Sequence, residues 1–145
     1  MNPDLSKEMA KKAAGRQKFM HGDQVIYEWE QDLNEVNIYI TPPEFMLSKN
    51  KEIIKQNLKP GQKVPKFNIT ITNKHVKIGV DQNPPYIDEN LFKNIDTDES
   101  LWMIEDDELH ILLQKAVRAE VWECVFVGHG KIDPMLQEEM QKKIL

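Results

Sequence analysis

The chain has a single cysteine, Cys124, in 145 residues. That excludes an internal disulfide and any metal site built from several thiolates, and it fits a reducing compartment. No apolar run approaches the roughly 20 residues needed to span a bilayer. The opening MNPDLSKEMAKKAAGRQKF lacks the apolar centre of a secretory signal. A cytoplasmic protein without a membrane role is therefore expected. Positive charge is also short: 19 Lys and Arg stand against 24 Asp and Glu, a net charge of -5. This disfavours nucleic acid phosphates and anionic lipid as partners and points to proteins or peptides.

Chemistry-bearing spacings are missing as well. The four histidines, His21, His75, His110 and His129, are scattered without the i, i+4 or cysteine-paired spacing of a metal site. Ordinary strand and surface roles are expected for them, with His75 and His110 opposite the apolar rows of their strands. No recognisable nucleophile signature surrounds Cys124, which reads as a partly buried structural thiol. Asp96-Thr97-Asp98-Glu99 lacks the glycine and distal glutamate of a calcium loop and reads as a solvated turn. Gly128-His129-Gly130 has too few glycines for a phosphate cradle and reads as a flexible joint. The triplet Asn68-Ile69-Thr70 matches a glycosylation acceptor by chance. No catalysis, cofactor or metal is expected.

What the chain does have is a 40% hydrophobic content, enough for one core, arranged largely at period two. Val25, Tyr27 and Trp29 share one face, and Val36, Ile38 and Ile40 share another across the turn-like Gln31 to Asn34. Phe67, Ile69 and Ile71 precede Asn73-Lys74, after which Val76, Ile78 and Val80 alternate with His75, Lys77 and Gly79. Residues 86–92 give a further strand. Leu101, Met103 and Glu105 oppose Trp102 and Ile104, and past the acidic Asp106-Asp107-Glu108 turn Leu109, Ile111 and Leu113 form the partner row. About seven strands with short connections and no strand-helix alternation predict an antiparallel sandwich, an all-β domain.

Two stretches interrupt this pattern. Pro42-Pro43 stops a strand, and residues 44–65 form a Lys-rich, Pro- and Gly-punctuated excursion in which KNKEIIKQNL (49–58) presents Ile53, Ile54 and Leu58 on one side of a short helix. Near the end, Asp133-Pro134 opens a helix carrying Met135, Leu136, Met140 and Ile144. The expected organisation is a helical or disordered arm over 1–21, a sandwich over 22–126 with its insertion at 44–65, and a linker and C-terminal helix over 127–145. Trp29 and Trp102 read as core rings. Trp122, in RAEVWECVF, reads as covering a sheet edge or meeting a partner.

The strings YEWEQ (27–31), EVNIYITPP (35–43), VKIGV (76–80), PPYIDENLF (84–92) and ESLWMIEDDELHILLQK (99–115), followed by Trp122, give a resemblance. Over residues 22–126 the chain resembles the CS domain, and within it the NudC or nuclear movement branch. The resemblance implies a seven-stranded antiparallel sandwich similar to small heat-shock proteins. It also implies chaperone or co-chaperone roles: holding unfolded or partly folded proteins, assisting the ninety-kilodalton heat-shock chaperone, and supporting nuclear movement with dynein-associated proteins. An adaptor or scaffold of a motor or chaperone complex, without holdase activity, is the alternative. Partner-binding residues transferred on these motifs are Tyr27, Trp29, Pro84, Pro85, Tyr86, Trp102, Glu105 and Trp122. The chain departs from the family pattern in the 44–65 insertion, in Glu89-Asn90 where a glycine is common, and in lacking the long coiled-coil arm of full-length NudC.

Overall fold

In a computed structural model, residues 16–81 and 85–129 are described. The strands are β1 (Gln17–His21), β2 (Gln24–Gln31), β3 (Glu35–Ile40), β4 (Phe67–Ile71), β5 (His75–Val80), β6 (Ile87–Asn90), β7 (Ile95–Glu105) and β8 (Glu108–Lys115). They form a five-stranded sheet in the order β1-β2-β3-β8-β7 and a three-stranded sheet in the order β4-β5-β6, antiparallel throughout. The all-β expectation holds, with eight strands in place of seven. The additional strand is β1, which falls in the stretch read as an arm. Only Phe19 of β1 packs on the core, so its apolar pattern is too thin to see. The turn that returns it to β2 runs through Gly22 at φ +60°, a conformation glycine adopts without strain. The expected C-terminal helix and the rest of the arm lie outside the described residues.

Period-two burial is cleanest in β3 and β8, where Val36, Ile38 and Ile40 face Leu113, Ile111 and Leu109 across the ladder. Tyr27 and Trp29 of β2 and Val76 and Ile78 of β5 complete the middle of the core. Val25 leaves the row predicted for it and is exposed. A register shift opposite Phe19 and Met20 inserts an extra β2 residue there, and such a bulge breaks the alternation. β7 starts earlier than expected: Asp96 to Glu99, read as a turn, are strand residues across a second register shift. Asp96 Oδ1 accepts the Asp98 N–H there at 3.0 Å. The β7–β8 turn uses Asp106 and Asp107, at φ 50° and 59°. Aspartate tolerates this left-handed pair, which matches the twist of a two-residue hairpin.

The chain after β8 closes the sandwich. Trp122, Val125 and Phe126 are fully buried, and the segment joins the end of β6 through a Leu91–Phe126 bridge and the bond from Phe92 N–H to the Val125 carbonyl, 2.9 Å. Gln31 fixes its start, its Oε1 accepting the Trp122 N–H at 2.9 Å and its Nε2 donating to the Trp122 carbonyl at 2.8 Å. His129 fixes the other end. Its ring stacks on Phe19 at 4.2 Å, and Nδ1 lies 2.9 Å from the Tyr27 hydroxyl. The joint expected at Gly128-His129 is therefore packed on the sheet at His129.

Candidate protein-interaction surface

The eight residues transferred as partner contacts separate into an interior and an exterior set. Tyr27, Trp29 and Trp122 are buried core residues. Trp122 is 0% exposed, so it is not the partner-meeting surface ring that was one of its two expected roles, and the closing segment seats its indole in the core. Pro84 lies outside the described residues. Pro85, Tyr86, Trp102 and Glu105 are on the surface. Trp29 is core as expected, but Trp102 is not: it is 41% exposed, and Ile104 beside it 50%.

The reason is geometric. Trp102 pairs with Ile111 and Ile104 with Leu109, so both stand on the core-facing side of the large sheet. β7 is the edge of a five-stranded sheet opposed by one of three, and the smaller sheet leaves these two side chains uncovered. Part of the missing cover comes from the Lys-rich excursion, which contains two 3-10 turns (Glu44–Met46 and Ser48–Asn50) and the short helix α1 (Lys51–Gln56). It is fastened to the β7–β8 turn at Ser48, whose N–H and hydroxyl donate to Asp107 Oδ1 at 3.1 and 2.7 Å. These bonds from Ser48 hold the Asp107 carboxyl below its usual range.

Between excursion and strand lies an open cavity of about 380 Å³ walled by Met46, Ile54, Val64, Phe67, Trp102 and Ile104. Ser48, Lys51, Lys66 and Asp107 are its polar members. A second cavity of about 380 Å³ lies at the same end, between Val25, Ile40, Pro42, Pro43, Val80 and Tyr86. Phe67 at the head of β4 lines both. Tyr86 is 45% exposed and its hydroxyl donates to the Ile26 carbonyl at 3.1 Å, which fixes the ring as a rigid wall. Trp102 and Tyr86 therefore belong to one end of the sandwich, while Tyr27, Trp29 and Trp122 lie within the core. Phe67, Met46, Ile54 and Val64 were not among the sequence candidates. The apolar side of the predicted loop helix, together with Phe67 at the start of an alternating run, was the available signal.

The outer face of the large sheet has a different chemistry. Arg16 sits 3.4 Å over the Tyr39 ring and donates to Glu28 at 3.3 Å and Glu108 at 3.0 Å. Tyr39 donates to Glu30 at 2.7 Å and stacks with His110 at 4.7 Å. His110 Nε2 lies 2.7 Å from Asn37 Oδ1, and burial pushes this imidazole below its ordinary value. Apart from Arg16 Nε, which has no hydrogen-bond partner among the described residues, these groups pair with one another across this face. Among the described residues no three His, Cys, Asp or Glu side chains converge as a metal would require, and no helix is long and apolar enough to cross a membrane.

The architecture is thus an all-β sandwich of two antiparallel sheets, with Tyr86, Trp102 and Ile104 among its exposed apolar side chains at one end. The CS domain matches residues 25–115, and the chain belongs to that family. It is 31% identical over 108 residues to the nuclear movement protein nudc of Schizosaccharomyces pombe, a match covering 74% of this chain and 57% of that protein. It is 28% identical over 119 residues to protein BOBBER 1 of Arabidopsis thaliana, covering 81% of this chain and 34% of that one. The chain therefore spans between a third and somewhat over half of these relatives. The solution structure of the CS domain of the human KIAA1068 protein superposes with a TM-score of 0.53 at 18% identity, over 74% of this chain and 77% of that one, and agrees in fold.

Proposed function

We propose that this chain is a protein-binding module of the co-chaperone type, which holds unfolded or partly folded proteins and performs no catalysis. The observation that carries the reading is the overhang at β7: Trp102 and Ile104 project from the core-facing side of the sheet with half their surface open, beside an apolar cavity. Exposed aromatic and aliphatic side chains grouped in a concave site are what an apolar segment of another protein can bury against. The likeness to a nuclear movement protein supports the same class of role and motivates a place in nuclear movement and dynein-linked processes, with the ninety-kilodalton heat-shock chaperone as a candidate partner.

Light scattering from a heat-labile client enzyme, without nucleotide, tests this. Suppression at near-equimolar chain, lost in Trp102→Ser, is the expected result. Unchanged scattering at several-fold molar excess overturns the holdase reading and leaves an adaptor, to be identified by its bound partner.

A further inference from the structure

The excursion has a charge opposite to that of the chain that carries it. Residues 44–66 hold six lysines and two glutamates, whereas the whole chain has 24 acidic and 19 basic residues. One of the two glutamates, Glu44, is 3.8 Å from Lys49. Lys51 and Lys66 border the apolar cavity, and the one carboxylate there, Asp107, is engaged by Ser48 with Lys51 and Lys49 nearby. An apolar floor with a positive rim has thus been placed on an acidic protein.

We propose that this groove binds a short extended peptide segment of acidic sequence that carries large apolar side chains at alternate positions. The inference rests on the protein-binding reading above and names the chemistry of the partner. In an extended peptide every second side chain points the same way. Two anchors of Leu or Phe size enter between Trp102, Ile104, Phe67 and Ile54, and the intervening carboxylates turn to Lys51 and Lys66. β7 is an edge strand, so its outward backbone groups offer an extended chain a rail to pair with. The lysines decide which apolar segments are accepted: a basic segment with the same anchors meets like charge, and rejection of this kind supplies specificity where a hydrophobic floor alone does not. The walls are rigid on the β7 side, where the ladder to β8 holds both anchoring residues, and are positioned on the other by Ser48 and Asp107.

The test uses fluorescence anisotropy of the full chain with three labelled peptides of about twelve residues. All carry Leu and Phe at the same alternate positions, with Glu, Ser or Lys between them. The Glu peptide is expected to bind about tenfold tighter than the Ser peptide, a gain that shrinks as salt is added, and the Lys peptide weaker than both. Lys51→Glu with Lys66→Glu should abolish the preference for Glu over Ser, and Trp102→Ser should weaken all three by about tenfold. All three positions are on the surface, and circular dichroism verifies that the variants are folded. Equal binding of Glu and Ser peptides, no binding of any, or variants that bind as the parent does would overturn the proposal. Client suppression that persists while the peptides fail to bind removes this inference and leaves the holdase reading standing. Peptide binding without client suppression does the reverse.

Discussion

Replacing Lys115 by methionine removes the only buried cation in the core of the described residues. Its Nζ, on a residue 4% exposed, donates to Gln31 Oε1 at 3.0 Å and to the carbonyls of Asp32 and Glu120 at 2.7 and 2.6 Å. Gln31 in turn holds Trp122, so the amine braces the junction where the closing segment leaves β8. Burial lowers this lysine to about 8. An unfolded chain keeps it near its ordinary value of about 10.4. Between those values the folded amine is neutral while the unfolded one is charged. The unfolded state then binds more protons, and stability rises with pH. From about pH 7.5 to about pH 10 this one group should add about 2 kcal/mol to the parent protein and nothing to Lys115→Met. Urea unfolding of both proteins at the two pH values, followed by far-ultraviolet circular dichroism, gives the double difference, in which the shared tyrosine titrations cancel. Parallel pH profiles for the two proteins would refute the assigned burial and its linkage. The absolute effect of the substitution at neutral pH is smaller than the lost hydrogen bonds alone suggest, since methionine also escapes the cost of burying a charge.

His129 is held below its ordinary value by burial against Phe19 and Tyr27, so the fold favours its neutral form. Acidification through about pH 6.5 protonates the unfolded chain first. Relative to His129→Gln, the parent should lose stability there in the same urea titration, the opposed contributions of His110 and His75 being common to both. Trp122→Ala should cost about 3–5 kcal/mol and Trp102→Ala under about 1 kcal/mol, read as midpoint shifts in urea, because the first empties a closed core site and the second trims a surface. Acrylamide should quench the tryptophan emission of the parent substantially and that of Trp102→Phe little, since Trp29 and Trp122 are 5% and 0% exposed.

The strands were legible where one face is fully covered. β3 and β8 lie in the middle of their sheet and their alternation survives intact in burial, while β5 keeps it at Val76 and Ile78 and loses it at Gly79 and Val80. Legibility failed at edges and joints. β1 contributes one core residue and so carries no period, and a bulge in β2 displaces Val25. Trp102 has the correct strand parity for the core yet no opposing sheet above it, because parity reports the face and not the cover. Trp122 is the converse case: its neighbours in sequence are charged, yet the segment folds back through Gln31 and Leu91 and buries the ring. The groove was the least visible, since Phe67 and Trp102 meet across two sheets and an excursion whose seating depends on Ser48 reaching Asp107, 59 positions away.

Hydrogen exchange of the full chain, alone and with an excess of an unfolded client, tests the central claim most directly. Binding at the open end of the sandwich predicts slowed exchange in residues 44–66 and 101–107, with the outer face around Tyr39 and His110 unchanged. Protection confined to that outer face, or none at client concentrations that suppress scattering, would contradict it.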